Sequence, residues 1–454
     1  MINDTIAAIS TAKGKGGVAM IRISGEVALC VAKKVFATKS EISPRKCVYG
    51  DILRENEIID DGTLIYYKAP HSYTGEDMCE ICCHGGIYVT SATLEAVLSC
   101  GARLATAGEF TRRAFVNGKL TLSKAEAVGN VIDAKTDNQL KLSTSQRRGV
   151  LSDKLEQIRE KMLSLLSRSY AIIDYPDEDL PTIEREEMRH SLGQIAGELE
   201  KLKKSYKVGK AISEGVKTVI IGKPNSGKST LYNRIFGEDV SIVTDIAGTT
   251  RDVIEHTVSF GGITLSLCDT AGIRESDDKV EKIGVERAIA KLNDAQLVIC
   301  VFDSSRPECC LDDEIIEKTS RKPSIAVINK SECEKKITEN FEKKIRSNFR
   351  YTVKISAKTG DGVDEIAKNI ERMYNLSEID LSNDAIVSNA RQYASVVKAL
   401  NGINDAAKAL ETGESTDIIC YTTEQALTDL EEIDGRTVTE EIVGEIFSKF
   451  CVGK

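Results

Sequence analysis

The chain has 454 residues, with 61 Lys+Arg against 70 Asp+Glu, 41% hydrophobic residues and no Trp. That length predicts about two to four domains, and the balance of charged and apolar residues excludes a wholly disordered or collagen-like chain. A net charge of −9 argues against broad nonspecific nucleic-acid binding, so a polyanionic partner requires a local basic patch or a second protein.

The N-terminus, MINDTIAAIS, has no basic leader before an apolar core, so no secretory signal is expected. No run approaches the roughly 20 apolar residues of a membrane helix, so no membrane association is expected. Thirteen Cys in such a chain point to reduced thiols and a cytoplasmic location. Residues 1–120 read as mixed α+β. VAMIRIS (18–24) and GTLIYY (62–67) are predicted strands, and SATLEAVLSCGA (91–102) a helix ending at Gly101. CEICCH (79–84) has a formal zinc spacing. Strand alternation would send Cys79 and Cys82 to opposite faces, so buried strand cysteines are expected.

From Ser123 to about Ile173 the pattern is helical. Leu151, Leu155, Ile158, Met162, Leu165 and Leu166 form one apolar face. DYPDEDLP (174–181) breaks it, and helix resumes over 184–207. At Gly215 the pattern changes. VKTVII (216–221), TLSLC (264–268), LVICVF (297–302), SIAVI (324–328) and TVKI (352–355) read as strands separated by helices, notably 281–292 and 362–374. That alternation predicts a doubly wound parallel sheet. Helices return at 384–411, 418–432 and 437–450. The expected domains are 1–120, 121–213, 214–375 and 376–454. The second and fourth would form one helical domain into which the α/β unit is inserted. Two separate helical domains are the alternative.

The first strand runs into GKPNSGKST (222–230), a Gly-x4-Gly-Lys-Ser phosphate loop between strand and helix. Its backbone N–H groups, from Asn225 and Ser226 through Gly227 to Thr230, would hold phosphates. Lys228 supplies charge to the β and γ phosphates, and Ser229 a hydroxyl for Mg2+. DTAG, Asp269, Thr270, Ala271 and Gly272, follows another strand. Asp269 can hold Mg2+ through water, and the Gly272 N–H can meet the γ phosphate. In DIAGTTRD (245–252), Thr250 would complete the Mg2+ shell. Ile273 stands where a Gln would orient water, and no arginine finger is evident. Asn225 and the carbonyls of the 244–249 loop can bind a monovalent cation instead; Asn225 can also simply brace the loop.

NKSE, with Asn329, Lys330 and Glu332, and SAK, with Ser356, Ala357 and Lys358, follow two further strands, where ligands bind in open α/β sheets. Here the sequence resembles the translation-factor-like GTPases, whose guanine-recognition motifs these match. Glu332 stands where that family has Asp; its extra methylene still permits reach to guanine.

The wider chain resembles the MnmE/TrmE family of tRNA-modifying GTPases. The matching segments are GKGGVAMIRISG (14–25), HSYTGEDMCEICCHGG (71–86), GEFTRRAFVNGKLTLSKAEAV (108–128), IDYPDED (173–179), VTDIAGTTRDV (243–253), DTAGIRESDDKVEKIGVERA (269–288) and FCVGK (450–454). The resemblance implies an N-terminal folate-binding and dimerisation domain, a helical bundle and an inserted Ras-like G domain. Arg22, Glu80, Lys119 and Lys454 would contact a tetrahydrofolate of the 5-formyl or 5,10-methylene type. Asn225 with Thr244, Ile246 and Thr249 would hold K+, Ser229 and Thr250 would hold Mg2+, and Asp245, Ala247 and Gly248 would lie against GTP. Glu281 would orient the hydrolytic water, and Cys451 would lie near the folate and uridine site with a catalytic part. The implied activity is K+-dependent GTP hydrolysis that, with a FAD/NADH protein of the MnmG type in a heterotetramer, adds an aminomethyl or carboxymethylaminomethyl group to C5 of the wobble uridine of tRNA. The rival reading is an RNA-binding ribosome-assembly GTPase. It accounts for 214–374 but predicts nothing for Arg22, Lys119 or FCVGK.

Overall fold

The computed structural model describes residues 4–12, 14–174, 184–237, 256–267, 292 and 294–453. Contacts divide the chain into two compact units, Met1–Gly129 with Glu431–Lys454, and Asn130–Leu430.

In the first unit, β1 (Ile6–Ile9), β2 (Gly16–Ser24), β3 (Phe36–Ala37), β4 (Cys47–Arg54), β5 (Glu57–Tyr67), β6 (Met78–Gly85) and β7 (Arg103–Leu104) form one sheet, ordered β3-β4-β5-β6-β2-β1-β7. Only β1 with β7 is parallel. Alternate side chains leave a strand on opposite faces. Ile21, Ile23, Leu64, Cys79, Ile81 and Cys83 therefore enter one core with α1 (Ala28–Val35) and α2 (Ile87–Ser99). Arg22 and Glu80, paired in register across β2 and β6, project from the other face. Beside them Ile6, Ala8, Ala105 and Phe110 make a smaller cluster, Phe110 coming from α3 (Glu109–Val116). The predicted strand 62–67 begins earlier, at Glu57. Its acidic first residues pair with β4 through backbone bonds that need no apolar alternation.

The end of the chain returns to this unit. Val443 and Phe447 of the C-terminal helix Glu440–Ser448 pack on Leu122 and Ala125 at the start of α4 (Leu122–Asp133). Val452 bridges Ala107 in antiparallel fashion.

The second unit holds α5 (Asp137–Arg148), α6 (Val150–Asp174) and α7 (Arg185–Ser213). The α6 face predicted from spacing is buried throughout. Helix α7 packs antiparallel to the helix Ala390–Thr412: Tyr206 stacks on Tyr393 with ring centroids 4.2 Å apart, and Arg185 donates to the Glu414 carbonyl.

Between these helices lie β8 (Val216–Gly222), β9 (His256–Phe260), β10 (Ile263–Leu267), β11 (Leu297–Asp303), β12 (Ser324–Asn329) and β13 (Tyr351–Lys354), ordered β13-β12-β11-β8-β10-β9. β8 and β10 to β13 are parallel as expected, and β9 adds an antiparallel edge through the hairpin at Gly261–Gly262. Ile220, Ile299, Val301 and Val327 bury on one face and Ile221, Val298, Cys300 and Ile328 on the other. Two-sided burial is why these strands read as continuous apolar runs. The predicted helix 281–292 lies, apart from Leu292, outside the described residues.

Candidate functional site

The phosphate loop leaves the C-terminal end of β8 and enters α8 (Lys228–Gly237). Two glycines are dictated by close approach. A Cβ on Gly222 would stand 2.4 Å from the Val301 carbonyl, and one on Gly227 2.1 Å from Asn329 Nδ2. Gly227 also has φ +92° and Asn225 φ +57°, left-handed values that close the turn. Lys228 Nζ donates to the Lys223 carbonyl at 2.9 Å. Ser229 and Thr230 sit in the first turn of α8, where the N–H groups of a helix start and the helix dipole favour an anion.

Asn329, at the end of β12, ties three loops together. Its Nδ2 donates to the Ser226 carbonyl at 2.8 Å, and its Oδ1 accepts the Ala357 N–H at 2.9 Å. The next residue, Lys330, has φ +67° and is held there by Asp303, whose Oδ2 lies 2.7 Å from its ammonium. Burial alone would raise the Asp303 carboxyl; bonds from Lys330 and Ser305 overcome this and hold it low. The Ser356 hydroxyl beside Glu332 holds that carboxyl below the usual glutamate range. Asn329, Lys330, Glu332, Ser356, Ala357 and the phosphate loop are thus one contiguous surface. Lys358 joins it through its carbonyl, which accepts from Arg234 at 3.0 Å. Thr244, Asp245, Ile246, Ala247, Gly248, Thr249, Thr250, Asp269, Thr270, Ala271, Gly272 and Glu281 lie outside the described residues, as does Lys454.

The first unit carries a second charged site. Arg22 Nε and Nη2 both donate to Oε1 of Glu80, at 3.0 and 2.8 Å. Oε2 accepts from the Tyr67 hydroxyl at 3.2 Å. The Arg22 guanidinium lies over Tyr73 and Phe110, 5.5 and 5.7 Å from their ring centroids. Burial and the Glu80 charge push the Tyr67 hydroxyl above its ordinary pKa, which keeps it a donor. The tail enters here. The Gly453 carbonyl accepts from Ser10 Oγ at 3.0 Å and from Arg22 Nη1 at 3.5 Å. Gly453 has φ +98°, and a Cβ there would meet the Ile9 carbonyl at 2.2 Å. Cys451 is exposed, and its carbonyl accepts the Gly108 N–H. Lys119 makes its bond elsewhere, to the Pro70 carbonyl at 3.0 Å.

Ser10, Tyr67 and the Gly453 carbonyl were not expected at this site. Nothing in their spacing marks them, since 443 residues separate Ser10 from Gly453. Other residues of the matched motifs serve the frame. Arg113, 1% exposed, binds Glu76, Glu109 and Asp4, and Arg103 binds Glu109 and Asp4. Burial raises Glu109, but bonds from Arg103, Thr106 and Arg113 bring its pKa to about 2. The CEICCH cysteines are strand residues. Cys79 and Cys83 lie in the core, and burial pushes the Cys79 thiol up to about 12. Among the described residues the one cluster with metal-like spacing is Asp60, Asp61 and His84.

A Gly-x4-Gly-Lys-Ser loop on a central parallel strand, tied by an Asn to two neighbouring strand-end loops, defines a P-loop GTPase. Comparison with known proteins narrows this. A family model described as the MnmE helical domain matches residues 122–451, and one described as the GTP-binding protein TrmE N-terminus matches residues 5–119. A tRNA modification GTPase MnmE of Clostridioides difficile is 43% identical over 458 aligned positions, covering all of both chains. That of Thermotoga petrophila is 40% identical, covering 99% of this chain and all of the relative. Among solved structures, a point variant of Aquifex aeolicus Era bound to GDP·AlF4− is similar at 27% identity and TM-score 0.26, over 41% of this chain and 66% of that one. The chain belongs to the tRNA modification GTPase MnmE family, whose members hydrolyse GTP in tRNA modification.

Proposed function

We propose that this protein couples K+-stimulated GTP hydrolysis to the addition of an aminomethyl or carboxymethylaminomethyl group at C5 of the tRNA wobble uridine. It would act as a cytoplasmic homodimer with a flavin- and NADH-using partner of the MnmG type. The domains are taken as 1–120, 121–213, 214–375 and 376–454. The observation that carries the reading over a ribosome-assembly switch is the Arg22–Glu80 couple, joined by the tail carbonyl of Gly453. A switch that only binds RNA has no use for it.

The residues fit a folate. Arg22 offers a guanidinium to glutamyl carboxylates, Glu80 an acceptor to a pterin edge, and Tyr73 and Phe110 supply aromatic surface. Lys119 and Lys454 would add charge. A bound 5-formyl- or 5,10-methylene-tetrahydrofolate would supply the one-carbon unit; Arg22 and Tyr67 hold Glu80 in place to receive the carrier, and Ser10 holds the tail so that Cys451 is presented. Exposed Val18 and Ile58, near the starts of β2 and β5, and Ile87 and Tyr88, at the start of α2, support a dimer contact on this unit.

At the nucleotide site, Asn329, Glu332 and Ser356 would read guanine, with Lys330 beside them, and Lys228 would neutralise phosphate charge. The left-handed turn at Asn225 leaves its side chain exposed, which suits a cation ligand. K+ there, with Thr244, Ile246 and Thr249, would supply the positive charge an arginine finger gives elsewhere. Mg2+ on Ser229 and Thr250 would neutralise the β and γ oxygens, and Glu281 would orient water. For tRNA, α7 carries Lys201, Lys203, Lys204, Lys207 and Lys210 with no acidic residue between 201 and 210. Lys203 and Lys204 face Glu200 and Lys210 faces Glu214, so Lys201 and Lys207 are the charges this face would offer to phosphate.

The deciding experiment is modification of a tRNA transcript, with ammonium or glycine as the amine donor and NADH present, with and without GTP, 5,10-methylenetetrahydrofolate and the partner, followed by nucleoside mass spectrometry. Wobble-uridine products should require all three of the varied components. Unmodified uridine in the complete mixture, with no tetrahydrofolate binding, would favour the switch.

A further inference from the structure

Lys223 belongs to the phosphate loop, yet its side chain is committed elsewhere. Pro224 restricts the preceding residue to extended backbone. The Lys223 ammonium lies 2.8 Å from Asp312 Oδ2 and 3.3 Å from the Pro307 carbonyl. Lys223 is 8% exposed and Asp312 1%. Asp312 stands in the first turn of α9 (Cys310–Thr319), where its Oδ2 also accepts the Cys309 N–H at 3.1 Å and the Cys309 thiol accepts in return. Its second oxygen, Oδ1, is buried without a hydrogen-bond partner.

The backbone of Lys223 meanwhile serves the site. Its carbonyl accepts the Ser226 N–H at 3.2 Å and Lys228 Nζ at 2.9 Å. One residue therefore joins a buried carboxylate on α9 to the lysine that meets the nucleotide. A buried ion pair is a poor device for stability alone. Removing two charges from water costs about as much as their attraction returns, and an apolar pair of similar volume does as well. The unpaired Oδ1 adds to that cost. What the pair supplies is a fixed position.

We infer that Lys223 and Asp312 are positioning residues for nucleotide binding. The pair moors the phosphate loop to α9 and sets where the Lys223 carbonyl holds Lys228 before phosphates arrive. A preorganised loop binds without first losing its freedom, so loosening the mooring weakens binding and leaves the chemical step nearly intact. The inference rests on residues 222–230 being the GTP site. Lys228→Ala tests that separately: GTP turnover at the wild-type rate in that variant would remove the site itself.

The test uses the full chain, titrated with N-methylanthraniloyl-GDP and assayed for GTP turnover. Asp312→Ala should raise the Kd and the GTP KM at least tenfold, with kcat within about threefold of wild type. The apolar pair Lys223→Met with Asp312→Leu should recover thermal stability yet keep KM raised at least about fivefold. Unchanged KM in Asp312→Ala overturns the inference, and so does a double variant in which KM returns together with stability. Should the double variant fail to fold, Lys223→Gln replaces it, since an amide still donates to Asp312 but carries no charge. Raised KM at unchanged Tm then supports the mooring, and unchanged KM overturns it.

Discussion

The nucleotide site and the Arg22–Glu80 site are built in opposite ways. The first is a set of short motifs, each at the C-terminal end of a parallel strand, so residues adjacent in sequence are adjacent in the site. The second is drawn from β2, β5, β6 and the last residues of the chain, with Arg22 and Gly453 separated by 431 positions. A phosphate is held by a loop's own backbone, which one segment can supply. A ligand with separate carboxylate and heterocyclic ends needs side chains converging from several elements. The two sites should therefore fail independently, and the following variants test that.

The largest effect belongs to Lys228→Ala. Losing one preorganised charge donor should cut GTP turnover by roughly 10²–10³-fold, while tetrahydrofolate binding stays as in wild type. Next comes Arg22→Ala. It leaves Glu80 without its cationic partner, with the Tyr67 hydroxyl still bonded to it, and the Gly453 carbonyl without one of its two donors. Tetrahydrofolate affinity, measured by calorimetry, should fall roughly 30-fold or more, the scale of breaking a partly buried charge pair. GTP turnover should not change; a parallel fall would show that the two sites are one. Asn225→Ala should reduce the rate advantage of K+ over Na+ to below about twofold. Equal wild-type rates in the two salts would remove the cation assignment.

The frame of the first unit gives a pH-dependent prediction. Glu109 has a folded pKa of about 2 against an ordinary 4.5, so it is a depressed carboxylate. Its contribution is complete above about pH 4.5 and is lost as pH falls toward 2. Glu109→Gln should lower Tm at neutral pH, and the difference from wild type should shrink across that window in circular dichroism. A constant difference from pH 7 to 2 would break the assignment.

These contrasts explain what the sequence disclosed. The G-domain strands were legible because both faces are buried and the runs are apolar. The phosphate loop was legible because its glycines answer to contacts, Gly227 to Asn329 and Gly222 to Val301. The antiparallel strand β9 was missed because HTVSF has no apolar run, and its place follows from pairing with β10. Tyr67 and Ser10 were missed because a hydroxyl's partner across the fold leaves no trace in local spacing. Arg113 and Glu109 were seen in a matched motif, yet only burial shows that they hold the unit together.

The smallest effect tests whether the two kinds of site communicate. The β9–β10 hairpin joins the segment ending at 255 to the segment beginning at 268, both of which carry expected GTP ligands. Its far turn is held by the helical part of the same unit: Asn138 Nδ2 donates to the Gly262 carbonyl at 2.5 Å, and one residue on, Gln139 donates to Ser213. A hairpin is stiff along its strands, so a strain applied at the open end of β9 and β10 would reach α5 through this bond. One neutral hydrogen bond is worth about 1 kcal/mol, roughly fivefold in an equilibrium. Asn138→Ala should leave GTP kcat within about twofold and lower the tRNA product formed per GTP hydrolysed by roughly two- to fivefold. If product per GTP is unchanged while the fold is intact, the signal does not pass through this turn, and the Ser213–Ser388 contact at the end of α7 becomes the next candidate.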